Sequence, residues 1–558
     1  MNTRHTQART LSALLLAWLS SLSAHAAPAA PDAGQTIREL QKQPELSAPK
    51  PMAPLRIEEN VTRKEPAHDD VRIAVSAIHV SGSRAFAAAK LEALIASLAG
   101  GEHTLAELYQ GAARITAYYR THGYVLARAY LPAQDIRNGV VEIAVVEGRL
   151  GERRVDNRSR LSDDRANGYL SGVKRGDALQ AATVERALLL LNDTPGVGGA
   201  RATLQPGASV GTSDLIVEIA PSAPYAARVE LDNFGNRYTG EYRLGAALAL
   251  NSPFKMGDQL TLRALASEQD LRYARIAYQV PVGRSGLRLG AAYFDTRYRL
   301  GKEFAPLQAY GTATSGSLFA VYPFVRSQTA NLSGTLTLED KQLDDLTDAP
   351  VTASDKHIRL ASFGLAGNYQ DALGGAGITS FDLSLVAGRL SMDAGSLAVD
   401  QLTVRSDGNY TRVAYNINRL QRLTDLNSLS LSLSGQQNLN SSEKFSLGGA
   451  NGVRAYPQGE GNGDQGWLAN LELRHDFLPN LQGIAFYDAG SVKINRDPLV
   501  AGENTRSISG AGVGTNAHFF GLQINAYVAW RTDGGQPASE PPSLDRNPRL
   551  WVQASRQF

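Results

Sequence analysis

The chain has no cysteine, which excludes disulfide staples and thiolate metal sites. Past one stretch at its start, it also lacks any apolar run near the ~20 residues that a transmembrane helix needs. Its charges almost cancel, with 56 Lys and Arg against 54 Asp and Glu. The strongly basic face of a nucleic-acid binder is therefore missing, and no nucleic-acid partner is expected. Nine histidines are scattered without the close pairing of a zinc site. The segment GASVG (Gly207–Gly211) matches the serine-hydrolase elbow G-x-S-x-G, but a strand follows it where the elbow needs a helix, so Ser209 reads as a hairpin residue. The glycines of GEGNGDQG lack the lysine and the helix of a phosphate loop. No enzyme and no cofactor is expected.

The first residues are specific. Arg4, His5 and Arg9 precede the apolar stretch LSALLLAWLSSL (Leu11–Leu22), and Ala24-His25-Ala26 has the small-x-small form of a cleavage site. Residues 1–26 read as a secretory signal peptide. An exported chain without helical spans crosses a membrane, if at all, as a β-barrel.

TIRELQKQ (Thr36–Gln43) predicts a short helix within 34–44, too short to stand without docking. A proline-rich, charged linker occupies 45–70. From Val71 the pattern becomes compact. VRIAVSAIHVSG reads as a strand, and AFAAAKLEALIASL as a helix with Phe86, Leu91, Leu94, Ile95 and Leu98 near one face. A second helix opens on a Thr104/Glu107 capping box and ends at Gly123, and YVLARAYLP and VVEIAVVEG supply closing strands. The β-α-α-β-β order of 71–149 recurs over 150–222, through ERRVDN, RLSDDRANGYLSG, LQAATVERALLLLND, GARATLQP and SDLIVEIAP. Paired basic residues in this second unit, Arg153-Arg154, Arg158 with Arg160, and Lys174-Arg175, are either solvated or a surface for an unfolded client.

From residue 223 to the end helical periodicity disappears. LSLSLSG puts Leu429, Leu431 and Leu433 on one face and serines on the other, and YRLGAALAL alternates likewise. Turn signals such as NSPFKMGD and DALGGAG separate these runs. The segment has room for about sixteen antiparallel strands, an outer-membrane barrel rather than a soluble sandwich. The aromatic Phe558 ending PRLWVQASRQF fits a C-terminal signal for the barrel-assembly machinery.

Two β-α-α-β-β units ahead of a barrel resemble polypeptide-transport-associated (POTRA) domains and their pore. IHVSG, YYRTHGYVLARAYLP and NDTPGV are similar to POTRA motifs. In the glycine-rich segment 440–466, Val453-Arg454-Ala455-Tyr456 resembles the Val-Arg-Gly-Tyr/Phe loop motif of two-partner secretion transporters, the TpsB class of the haemolysin/haemagglutinin secretion-activation family. That resemblance implies that 34–44 plugs the pore and that 440–466 enters it, with Gly448 and Gly449 in the loop motif. It implies that Arg454 meets an aspartate in a Phe-x-Asp-x-Gly strand motif, filled here by Phe486, Asp488 and Gly490. Alternation places these three on one face, and a lipid-facing carboxylate would be costly, so Asp488 faces the lumen. One position departs from the motif: Ala455 stands where the family has glycine. If a positive φ is needed there, alanine resists it by roughly 1–2 kcal/mol.

The expected partners are a large secreted exoprotein, taken unfolded by the periplasmic POTRA domains, and outer-membrane lipid. The alternatives are an outer-membrane insertase or assembly factor, and a passive porin. Two POTRA units with a plug helix favour the exporter over the insertase, and a porin needs no soluble repeats.

Overall fold

The computed structural model describes residues 31–40, 56–57, 72–209, 211–402, 405–437, 443–496, 498 and 502–558. The signal peptide, most of the linker and the outer ends of the expected plug (41–44) and pore loop (440–442) lie outside the described residues.

Sixteen antiparallel strands, from Tyr225–Asp232 to Arg549–Gln557, close into a barrel. Each strand pairs with its sequence neighbour, and the last returns to the first over five residue pairs, Arg228 with Gln557 through Asp232 with Gln553. Two-residue periodicity decides which side chains face lipid: Leu431 and Leu433 are exposed, as are Tyr242 and Leu244, while Arg243 beside them turns inward and is buried. Among the described residues no helix is long and apolar enough to cross a membrane.

Ahead of the barrel lie two small α/β units. In the first, Ala77–Ser81, Val140–Val146 and Arg128–Tyr130 form a three-stranded sheet under the helix Leu105–Thr121. The capping box is complete: the Glu107 amide donates to Thr104 Oγ1 at 3.2 Å, and the Thr104 amide to Glu107 Oε2 at 2.8 Å. These bonds, the one from the Thr104 backbone above all, hold the Glu107 carboxyl below its usual value. Glu147, buried at the end of the sheet, accepts from the amides of Arg84 and Ala85 and from the Tyr119 hydroxyl. Burial and then that carboxylate push the Tyr119 hydroxyl well up.

Three expectations need correction here. The run from Val71 is not one strand: Arg72–Ala74 pairs with Glu102–Thr104, and Ala77–Ser81 joins the main sheet. The first helix covers only Ala88–Ala93, followed by a 3-10 turn at Ala96–Leu98, so Leu91, Ile95 and Leu98 are buried while Leu94 points outward. YVLARAYLP contributes just Arg128–Tyr130.

In the second unit Arg56–Ile57 from the linker, Val197–Pro206, Thr212–Pro221 and Arg149–Asn157 form one sheet in that order. Ser209 sits in the turn of the hairpin between Val197–Pro206 and Thr212–Pro221. The helix Ala181–Asn192 packs on this sheet and docks against the near end of the barrel. Asp193 accepts twice from Arg326, at 2.6 and 2.9 Å, and its carbonyl takes a bond from Arg288. Arg186 donates to the Pro323 carbonyl and Glu185 accepts from the Gln328 amide. Of the paired basic residues, Arg153 is spent on the carbonyls of Leu170 and Val173, and Arg160 on Asn251 of the barrel. Arg154 and Arg158 remain exposed beside Glu152 and Asp156.

Candidate functional site

Two elements fill the lumen. The first is the helix α1, Ala33–Leu40 among the described residues, which begins three residues before the expected Thr36 because Asp32 caps it: its Oδ1 accepts from the Gln35 amide at 2.7 Å. Eight residues cannot hold a helix alone. Ala33, Ile37 and Leu40 are buried in a cluster of inward-facing barrel residues that includes Leu265, Tyr273, Phe294, Leu343 and Ile358. Polar contacts are few. The Ala33 amide donates to Asp345, Arg263 reaches the Leu40 carbonyl at 3.3 Å, and Asn236 reaches Glu39 at 3.3 Å.

The second element is the chain 443–464, which turns back into the lumen between the strands Asn427–Gln437 and Gln465–Leu478. Its tip is a tight double turn. The Val453 amide donates to the Leu447 carbonyl, the Gly449 amide to the Tyr456 carbonyl, and the Tyr456 amide to the Val453 carbonyl. Gly449 has a φ of +119°, and a Cβ at Gly448 would stand 2.4 Å from the Pro457 carbonyl oxygen, so both glycines are demanded by the turn. Ala455 is not among the positive-φ residues, so its methyl carries no backbone strain. That methyl lies over Gly510, where a Cβ would come within 2.4 Å of it.

From this tip Arg454 reaches the inner wall. Its Nε and Nη2 donate to the two oxygens of Asp488 at 2.9 and 2.8 Å, and its own amide donates to Asp488 Oδ2 at 3.0 Å. Asn470 gives Asp488 a fourth bond at 2.8 Å. The remaining guanidinium nitrogen, Nη1, donates to Glu472 at 2.7 Å, and Arg474 takes the other Glu472 oxygen. Asp488 is 0 % and Arg454 4 % exposed. The Phe486 ring lies 3.5 Å beneath the guanidinium carbon, a cation–π contact. Gly490 has the role of space: a Cβ there would strike the loop's Leu447 at 2.6 Å. Trp551 Nε1 donates to the Arg454 carbonyl, and the Tyr456 hydroxyl reaches the carbonyls of Asp533 and Gly535. Val453 is fully buried beside Leu447 and Ile484.

The structure thus brings together Val453, Arg454, Tyr456, Gly448, Gly449, Phe486, Asp488 and Gly490. Phe558 stands apart, exposed at the end of the closing strand, its backbone paired with Ala227. Sequence reasoning missed Asn470, Glu472 and Trp551, which reach the site through strand register. It also missed a second anchor. Glu460 is fully buried and accepts from Arg506, from the amides of Ala538 and Ser539 and from the Ser539 hydroxyl. A third carboxylate, Glu443, pairs with Lys341 at 3.2 Å and Arg412 at 2.6 Å beside α1. Neither stands out in the sequence: Glu443 is followed at once by Lys444, and Glu460 shares its glycine-rich run with Asp464. Among the described residues no cluster of three or more His, Asp or Glu could hold a metal.

Comparison with known proteins follows the same lines. Residues 211–517 match the family model of the haemolysin secretion/activation proteins ShlB/FhaC/HecB, and 73–148 match the ShlB-type POTRA domain. The chain is 29% identical over 524 residues to a heme/hemopexin transporter protein HuxB of Haemophilus influenzae, spanning 89% of this chain and 91% of that protein. A second HuxB from that organism is 30% identical over 457 residues, 79% of this chain and 80% of the other. The solved structure of CdiB from Escherichia coli superposes with a TM-score of 0.74 over 95% of this chain and 99% of that one, at 20% identity, a likeness of fold.

Proposed function

The chain belongs to the haemolysin secretion/activation protein family, outer-membrane barrels with periplasmic POTRA domains that export a secreted protein partner, and we propose that Arg454 and Asp488 are the latch on which that export turns. The supporting observation is the bidentate, fully buried pair between the loop tip and the wall. An arginine–carboxylate fork fixes direction as well as distance, so it holds a glycine-rich loop in one place inside a wide pore.

The proposed cycle begins with an unfolded client in the periplasm. It adds as a strand to a sheet edge of the N-terminal domains, where backbone bonds supply tolerance of sequence and side-chain grooves supply choice. One such edge, that of Val197–Pro206, already carries Arg56–Ile57 in parallel register. A client strand taking that edge displaces the linker and frees the chain that leads to α1. The helix then leaves the lumen, and a barrel of this strand number admits an extended chain. Folding of the client outside draws it onward. The terminal Phe558 serves earlier, in recognition by the assembly machinery.

The test is a charge swap read as secreted client. Arg454→Asp abolishes export, and adding Asp488→Arg restores part of it. Normal secretion by the single variants removes the latch.

A further inference from the structure

Register sorts the outer wall of the barrel into rows. Gly316, Asp340, Arg359, Arg389 and Asn409 stand side by side across five neighbouring strands. The next row toward the N-terminal domains is Leu318, Leu338, Ala361, Ala387 and Thr411. Below it come Leu336, Phe363 and Leu385, all exposed. The polar row therefore caps the lipid-facing apolar band at its far edge, away from the periplasmic domains.

A groove of about 970 Å³ runs along this boundary, lined by Leu318, Leu338, Ala361 and Ala387 on the apolar side and by Arg359 and Arg389 on the polar side. The position at Gly316 is open, since a Cβ there meets nothing within 4 Å. The charges are unbalanced. Arg359 and Arg389 are direct cross-strand partners, and like charges so placed repel. Asp340 accepts from Arg359 at 3.1 Å and from His357 at 2.8 Å, whereas the Arg389 side chain has no ion pair or hydrogen bond among the described residues. Elsewhere on the outer wall the exposed large residues include Trp467 and Trp530, aromatics that suit a membrane interface without selecting a headgroup.

We propose that this groove binds a phosphorylated lipid of the outer leaflet, its phosphate between Arg359 and Arg389 and an acyl chain over Ala361 and Ala387. The phosphate supplies the anion that Arg389 lacks and offsets the repulsion between the two arginines, and the planar guanidinium fork suits its oxygens. The apolar row beneath the arginines continues the lipid-facing band, and the one carboxylate of the polar row, Asp340, is already engaged by Arg359 and His357, so the occupant is lipid.

Native mass spectrometry of the purified full chain in detergent tests this, with diphosphorylated lipid A, phosphatidylcholine and inorganic phosphate as separate probes. The wild type retains lipid A, and Arg359→Gln with Arg389→Gln cuts the bound fraction at least fivefold. Ala387→Trp, which fills the groove and keeps both charges, also cuts it. Heat-modifiable migration on gels confirms that each variant keeps its barrel. Equal retention by the double variant overturns the site. So does equal loss of phosphatidylcholine, which marks an apolar coat without headgroup selection. Displacement by inorganic phosphate, or indifference to Ala387→Trp, marks a bare anion site and overturns the lipid reading.

Discussion

The two elements inside the lumen are held in opposite ways. The loop 443–464 is fastened by buried carboxylates and arginines, with Asp488 taking four hydrogen bonds and Glu460 five. The helix α1 rests on apolar packing and a few polar contacts, of which two span 3.3 Å. Stranding one member of a buried charge pair costs about 3–5 kcal/mol. Withdrawing α1 parts Asp32 from Lys356, 3.7 Å away, but breaks no fork as closely bonded as that of Arg454 and Asp488. The difference teaches which part is fixture and which is stopper.

The sharpest attempt to break this contrast is Asp488→Ala. It leaves Arg454 buried without its fork, and thermal unfolding in detergent should show a loss of about 3–5 kcal/mol together with loss of export. Next comes a crosslink. Cysteines at Gly34 and Leu343, which line one cavity, joined by a short reducible crosslinker to lock α1 to the wall, should block secretion, with reductant restoring export. Unaltered export from the locked form would mean that α1 never leaves. Removing Pro28–Gln43 should raise conductance in planar bilayers. Glu460→Gln sharpens the comparison at smaller scale: it weakens the Arg506 pair while keeping an acceptor, for an expected loss of about 1–2 kcal/mol. An effect as large as that of Asp488→Ala would move the main anchor from the loop tip to its return limb.

The smallest expected effect lies outside both elements. Thr104→Ala in the POTRA domain removes a helix cap worth about 1 kcal/mol and leaves the lumen untouched. The capping partner Glu107 also carries a pH signature. Its carboxyl is lowered in the folded state, so its contribution is present above the unfolded value of 4.5 and fades as pH falls through the lower folded one. Unfolding of this domain between pH 6 and pH 3, compared with Glu107→Gln, measures it.

What the sequence makes legible is whatever depends on near neighbours. Alternation in LSLSLSG and YRLGAALAL marks barrel strands, and the Thr104/Glu107 box marks a helix start. The pair Arg454 and Asp488 came from motif resemblance. Asn470 and Glu472 escape notice because only cross-strand register sets them beside Asp488 and Phe486. Trp551 comes from the last strand, 97 residues beyond Arg454. The helix α1 begins ahead of TIRELQKQ because Asp32, beside Pro31, caps it from outside the periodic run. The first helix of the POTRA domain was drawn too long because alanine-rich sequence favours helix everywhere, while Phe86 is drawn instead into edge-on contact with Tyr118, Tyr119 and Tyr124.

The docking of the second N-terminal domain sets where this machine can flex. Turning that domain against the pore mouth means first tearing the Asp193–Arg326 fork, along with the bonds from Arg186, Arg288 and Gln328. The two N-terminal units meet through the Ala181 amide on Gly123, Gln180 on Tyr124, and Val125 and Leu126 packed against the core of the second unit, with no ion pair among the described residues. The mouth-side joint is thus held by charge and the upstream one by apolar contact, so high salt loosens the first before the second.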